Sequence, residues 1–249
     1  MLRSIAVVTG ASSGIGTAVA KELSLAGHFI VLTGRSESRL EKVKKELGDS
    51  CAAIPCDLSS VEATNGLISE VLSHSQKMKL PLKVLVNNAG VFKRASAEES
   101  PLSEWDRQFR TNLFAAVQLT LGLEKLLKAE PSVVINISST LGIRPVPWTS
   151  VYSASKAAMN SWTQSLGLEW ATHQVRVAAI CPGLIDTPIH DFHQSEENSE
   201  ARQAAHQAQP IGRMGTPQDI ANTVAFLASE KASWVTGSLW NVDGGISLL

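Results

Sequence analysis

The stretch that most narrows what this chain can fold into is Ile5-Ala6-Val7-Val8 followed by Thr9-Gly10-Ala11-Ser12-Ser13-Gly14-Ile15-Gly16. An apolar run, a turn with three glycines and a helix-period segment, in that order, predict a strand, a tight turn and a helix. The helix is expected from near Ile15 through Ala18, Val19 and Leu23 to Gly27, a C′ residue. Without side chains at Gly10, Gly14 and Gly16 the backbone can turn tightly and approach a pyrophosphate, which the free N–H groups and positive end of the helix attract. The segment therefore reads as the phosphate-binding turn of a dinucleotide site.

The pattern then repeats. Phe29-Ile30-Val31-Leu32, Ala52-Ala53-Ile54, Val84-Leu85-Val86, the run from Val133 to Ile137, the run from Val175 to Ile180 and the run from Ser238 to Val242 read as strands. Helices are expected over roughly 60 to 74, 103 to 128 and 150 to 171, and after Thr216, which caps a helix starting at Pro217. Alternating strands and helices predict an α/β fold with a parallel sheet covered on both faces. At 249 residues, 44% apolar and 18% charged, the chain suits one domain over 1–249, with no linker to split it. His74 to Leu82 reads as a surface loop, and 188–209 as a helical lid over a substrate.

A net charge of −1 leaves no electrostatic reason for a nucleic-acid or membrane partner. The Lys42-Val43-Lys44-Lys45 cluster alternates with Glu41 and Glu46, as a solvated helix face does. No apolar run reaches the about 18 residues of a spanning helix, and Met1-Leu2-Arg3-Ser4 leads straight into a strand, so a cytoplasmic protein is expected. Cys51, Cys56 and Cys181 fit reduced, buried thiols, and Cys181, beside Pro182 with no evident base, reads as packed. His190-x-x-His193 lacks a supporting third ligand, so no metal is expected.

The residues after the second strand bear on the choice of dinucleotide. A carboxylate there would suit the ribose 2′-OH of NAD; Thr33-Gly34-Arg35-Ser36 instead offers a guanidinium and a hydroxyl to a 2′-phosphate, which favours NADP(H) over NAD(H). Asp57, at the next strand end, suits either a bond from the adenine amino group or a cap on the following helix.

Further on, Ser138 to Lys156 reads SSTLGIRPVPWTSVYSASK. Tyr152 and Lys156 are four apart, so on a helix they share a face. A nearby ammonium favours the phenolate, so Tyr152 is expected to be more acidic than an ordinary phenol. Ser139 follows a buried strand, where its hydroxyl can hold a carbonyl oxygen while Tyr152, the only tyrosine, protonates it. Asn112 falls in the 103 to 128 helix, with Phe109, Leu113, Phe114, Val117 and Leu121 expected to face inward.

Taken together, the Thr9 to Gly16 turn, Asp57, Asn87-Asn88-Ala89-Gly90, Asn112, Ser139, Tyr152, Lys156, Pro182-Gly183 and Asp243-Gly244-Gly245 resemble the short-chain dehydrogenase/reductase family over almost the whole chain. The resemblance implies a Rossmann-type doubly wound domain of about seven parallel strands, a catalytic set of Asn112, Ser139, Tyr152 and Lys156, and a homo-oligomer, commonly a tetramer. It implies that Asn112 holds a water linking Lys156 to solvent, beside the plainer reading that its amide satisfies a backbone carbonyl. The dinucleotide set then comprises Gly10, Ser12, Ser13, Gly14, Ile15, Gly16, Arg35, Ser36, Asp57, Leu58, Asn88, Ala89, Gly90, Pro182 and Gly183, together with Tyr152 and Lys156. Ile185 and Thr187 are implied as contacts to the nicotinamide carboxamide. Ala178 stands where the family often has Asn, and a local structural change is expected there.

The implied reaction is NADPH-dependent reduction of a carbonyl, or oxidation of a secondary alcohol, with Tyr152 as general acid/base. The small-molecule substrate cleft is expected to be partly apolar, with Phe92, Leu141, Trp148 and Phe192 as neighbours. Reduction of 3-oxoacyl groups on acyl carrier protein is the alternative, weakened by the uncharged turn Ala171-Thr172-His173-Gln174. A non-catalytic dinucleotide sensor is the alternative from another class, and it has no need of Ser139, Tyr152 and Lys156.

Overall fold

A computed structural model describes residues 4–189 and 199–249. Seven strands, β1 (Ser4–Thr9), β2 (His28–Gly34), β3 (Cys51–Pro55), β4 (Leu82–Asn87), β5 (Ser132–Ile137), β6 (Val175–Pro182) and β7 (Ser238–Val242), form one parallel sheet ordered β3-β2-β1-β4-β5-β6-β7. The helices are α1 (Gly14–Leu25), α2 (Glu37–Leu47), α3 (Val61–Met78), α4 (Leu102–Phe109), α5 (Ala115–Gly122), α6 (Glu124–Leu127), α7 (Ser150–Trp170), α8 (Glu200–Gln207) and α9 (Pro217–Ala228).

Each strand sends alternate side chains to opposite faces, so two cores form. Ala6, Val8, Ile30, Leu32, Val84 and Val86 pack under α1, α2 and α9. Ile5, Val7, Phe29, Val31, Leu85 and Val134 pack under α3, α5 and α7. Strand order reverses between β1 and β4, and the crevice beyond the carboxyl ends of those strands is where such sheets receive ligands.

Four local expectations need correction. The helix expected to end near 74 runs on to Met78, so most of the supposed loop before β4 is helical. The helix expected over 103 to 128 is interrupted by a π-helical turn at Arg110–Phe114. One extra residue in the turn rotates α5 about its axis, so Ala115, Ala116, Leu119 and Thr120 face the interior while Phe114 and Leu121 are exposed. Ala178 causes no irregularity; it pairs in regular register with Ile135 and Ser238. Asp57 does not cap α3, because Ser60 accepts the Ala63 N–H at 3.1 Å instead.

The three cysteines are free and buried. Thr216 and Asp219 form the reciprocal capping box of α9, with Pro217 as its first residue. Among the described residues no helix is long and apolar enough to cross a membrane.

Candidate active site

Thr9 ends β1 and organises the glycine turn. Its hydroxyl accepts the N–H groups of Asn88 (2.8 Å) and Ala89 (2.9 Å), while the Asn88 amide donates to the Thr9 carbonyl at 2.8 Å. This clamp explains the glycines. A Cβ on Gly16 would stand 2.2 Å from the Gly10 carbonyl oxygen, and one on Gly10, at φ +65°, 2.9 Å from Asn88 Nδ2. Asn88 and Ala89 thus brace the turn from β4. The reading from sequence missed Thr9 as a site residue, although a hydroxyl side chain at the last strand position was a visible signal.

Ser13 is the N-cap of α1, and its side chain makes no capping bond. The first-turn N–H groups of α1 lie beside a Cβ-free cradle, which suits a pyrophosphate. Ile15 packs against the core, and Ser12 lies at Gly34, its hydroxyl 3.2 Å from where a Cβ there would stand.

At the end of β2, Arg35 is exposed, and Ser36 stands at the N-cap position of α2 without a side-chain capping bond. Asp57 lies close enough to feel Arg35. The N–H and hydroxyl of Ser59 donate to the Asp57 carboxylate at 3.0 and 2.8 Å, and these bonds, with a smaller contribution from Arg35, hold it below the ordinary carboxylate range. Leu58 beside it is buried.

The segment after β5 and the first turns of α7 carry the proton-handling groups. Ser139 follows β5 directly, and its Oγ accepts the Leu141 N–H at 3.1 Å. Tyr152 is buried in the first turns of α7, and the Phe92 ring meets it edge-on at 4.9 Å. Lys156, one turn later, places its Nζ 5.7 Å from the Tyr152 ring centroid and donates to the Ile137 carbonyl at 2.8 Å.

This geometry reverses the expected acidification. Burial pushes the Tyr152 phenol up to about 12, and the neighbouring Ser139 hydroxyl offsets only part of that. Burial also brings Lys156 down to about 8. Loss of water therefore decides the direction at both groups, and the Lys156 ammonium, whose hydrogen bond goes to the Ile137 carbonyl, does not offset it at the phenol. Cys181, near Lys156, is pushed up to about 11 by burial, which fits a packed thiol.

Asn112 sits in the π-helical turn, fully engaged. Its Oδ1 accepts the Val91 N–H at 2.8 Å, and its Nδ2 donates to the Val91 carbonyl and to Ser155 Oγ, both at 3.0 Å. The side chain thus splices α5 to the segment leaving β4 and to α7. A Cβ on Gly90 would stand 3.4 Å from Asn112 Oδ1 and 3.7 Å from Lys156 Nζ, so these three residues meet.

From the far side of the sheet, Thr140 donates to the Pro182 carbonyl at 3.2 Å, and Gly183 donates to the Val242 carbonyl at 3.2 Å. Ile185 is buried and pairs with Gly215, and Thr187 packs its Cγ2 3.1 Å from where a Cβ on Gly14 would stand. The turn after β1 and the segment after β6 thereby face each other. Of the lid expected over 188–209, the described part contains α8, capped by Ser199. His190, Phe192 and His193 lie outside the described residues.

A groove of about 780 Å³ is lined by Leu141, Ile143, Trp148, Ser153, Ala154 and Ala157. Leu141 and Trp148, two of the expected cleft neighbours, line it, while Ala154 and Ala157 lie on the side of α7 turned away from Tyr152.

A family model described as enoyl-(acyl carrier protein) reductase, adh_short_C2, matches residues 10–247. The chain is 36% identical over 249 residues to 3beta-hydroxysteroid dehydrogenase 1 of Eggerthella lenta, covering 97% of this chain and 93% of that one. A 3-ketoacyl-(acyl-carrier-protein) reductase from Brucella melitensis, crystallised with NADH, superposes with a TM-score of 0.89 at 31% identity, covering 99% of both chains. An NAD(P)-dependent protein from Beutenbergia cavernae with bound NADP superposes with a TM-score of 0.90 at 33% identity, over 100% of this chain and 98% of that one.

Proposed function

Because this chain belongs to the short-chain dehydrogenase/reductase family and is an oxidoreductase acting on CH–OH and C=O groups, we propose that it is an NADPH-dependent carbonyl reductase, run in reverse as a secondary-alcohol dehydrogenase, with Tyr152 as its proton donor. The observation that carries this reading is a buried, neutral Tyr152 phenol beside Ser139, with Lys156 one helical turn away.

The residues present fit a nicotinamide dinucleotide. The cradle at Gly10 and Gly16 admits no Cβ, and the first turn of α1 has no side-chain cap competing for its N–H groups. When bound, the dinucleotide supplies the hydride. Ser12, Ser13, Gly14 and Ile15 line the pyrophosphate end with those glycines; Arg35 and Ser36 receive the 2′-phosphate; and Asp57 and Leu58 border the adenine. Asn88, Ala89 and Gly90 support the ribose side, while Pro182, Gly183, Ile185 and Thr187 border the nicotinamide. The preference for NADP over NAD rests on the exposed Arg35 standing where a ribose-binding carboxylate is absent.

In reduction the Ser139 hydroxyl holds the substrate oxygen and Tyr152 gives it a proton. Burial, which makes Tyr152 a weak acid in isolation, keeps that proton in place until negative charge develops on the oxygen. Phe92 excludes water from one face of the phenol. Lys156 supplies positive charge beside the developing phenolate, and Asn112 fixes the strand-end backbone against α7.

The whole chain, 1–249, acts as one dinucleotide-binding and catalytic unit, with 188–209 as its substrate lid. Exposed Phe114, Leu121, Leu168 and Trp234 support a homo-oligomer, a tetramer or dimer, checked by sedimentation. A cytoplasmic location accords with the free cysteines.

A second reading, reduction of 3-oxoacyl groups on acyl carrier protein, is favoured by relatives such as the Brucella protein. A panel of ketones, hydroxysteroids and a 3-oxoacyl thioester, followed by loss of NADPH absorbance, ranks the two. Tyr152→Phe should abolish turnover and leave NADPH binding nearly intact; more than a few per cent of residual turnover refutes the assignment, and cofactor binding without consumption of any carbonyl indicates a sensor.

A further inference from the structure

Between Ile185 and Thr187, on the segment that leaves β6, stands Asp186. Ile185 is buried in the core and Thr187 lies against the glycine turn. Asp186 reaches instead to α8. Arg202 Nη2 donates to its Oδ2 at 2.5 Å and Nη1 to its Oδ1 at 3.3 Å. The two side chains are only 11% and 28% exposed, so the pair is well shielded from solvent. Such a two-pronged guanidinium–carboxylate contact fixes orientation as well as distance.

The backbone around the pair is tied in the same way. Asp186 donates its N–H to the Gly215 carbonyl at 2.9 Å, and Gly215 donates back to the Leu184 carbonyl at 3.0 Å. Met214 donates to His206 Nδ1 at 3.1 Å, which anchors the last turn of α8 to the same strip. Helix α8 therefore cannot shift without pulling on the residue flanked by Ile185 and Thr187. Thr187 in turn sits over Gly14, at the opening of α1.

We propose that Arg202 and Asp186 form a positioning couple that transmits the docking of α8 to Thr187, and so sets how tightly the dinucleotide is held at its nicotinamide end. The inference rests on the dinucleotide-dependent function proposed for this chain. Neither residue touches reacting atoms; both act through the segment they hold. Coupling of this kind is reciprocal, so a bound dinucleotide also secures α8.

The experiment uses the full chain as wild type, Arg202→Met, Asp186→Asn, the double variant and Arg202→Lys. Kd for NADPH is read by fluorescence titration, with kcat and KM on the best carbonyl of the panel. Each single loss should raise Kd roughly five- to tenfold, with kcat at saturation changed less than Kd. The double variant should be no worse than either single one, because they break the same contact, and Arg202→Lys should recover part of the affinity. A merely structural role would lower thermal stability and leave Kd where it was; that outcome overturns the proposal, as do effects that multiply in the double variant. Wild-type protein that binds neither NADPH nor NADH overturns the functional reading itself, whereas wild type that binds beside unaffected variants overturns this inference alone.

Discussion

Lys156 lies 5.7 Å from the centroid of the Tyr152 ring, yet its ammonium donates to the Ile137 carbonyl at 2.8 Å. The pair therefore shares a buried site without a direct hydrogen bond, and burial sets both pKa values: about 12 for the phenol and about 8 for the ammonium.

These two values give the reaction a pH dependence. Reduction needs Tyr152 protonated and Lys156 charged, so kcat should be level below about pH 8 and fall above it as Lys156 loses its proton. Stability responds with opposite signs at the two groups. Between about 8 and the ordinary 10.5 the unfolded chain binds a proton at Lys156 that the folded chain does not, so stability gains with rising pH. From the ordinary 10.0 to about 12 the folded chain keeps the Tyr152 proton that the unfolded chain loses, so stability then declines. A kcat profile with denaturant titrations across this range checks both; a kcat flat to pH 10 contradicts the assignment to Lys156.

Thr9→Val keeps the shape of the side chain and removes its oxygen. The N–H groups of Asn88 and Ala89 lose their acceptor, which should cost about 2 kcal/mol or more. Urea midpoints report the loss, and weaker NADPH binding reports the loosened turn. Unchanged midpoint and affinity would show that the clamp is dispensable.

For Asn112→Ala, the partly buried Val91 N–H and carbonyl both lose their side-chain partner. The expected cost is about 2–4 kcal/mol, or roughly 4–16 °C in Tm for a chain of this size. Turnover should fall as well, since Gly90 and Lys156 meet at this splice. A calorimetric scan with a kcat measurement tests both statements.

Arg35→Ala removes the exposed guanidinium after β2. The ratio of kcat/KM with NADPH to that with NADH should fall roughly 10- to 100-fold, the worth of a charged hydrogen bond. A wild-type preference for NADH, or a ratio unmoved by the substitution, shows that the 2′-phosphate is not read here.

The π-helical turn shows why some of this was legible in the sequence and some was not. Phe109 and Leu113 sit at helical spacing, and continuing that period places Phe114, Val117 and Leu121 inward. The turn at Arg110–Phe114 adds a residue and moves the buried face onto Ala115, Ala116, Leu119 and Thr120. Nothing local announces it. The turn is tied in place by the hydrogen bonds of Asn112 to Val91 and Ser155, partners 21 and 43 residues away in the chain.

By itself, the sequence determined the succession of strands and helices along the chain, the glycine turn and the Tyr152–Lys156 spacing, because each depends on residues within a few positions of one another. Only the tertiary structure decided that Thr9 clamps Asn88, that Lys156 turns to Ile137 and that Tyr152 holds its proton more firmly than a free phenol. Those outcomes depend on how much water the packed helices and sheet exclude, and on which distant backbone group is nearest, and neither quantity is written in any short stretch of the chain.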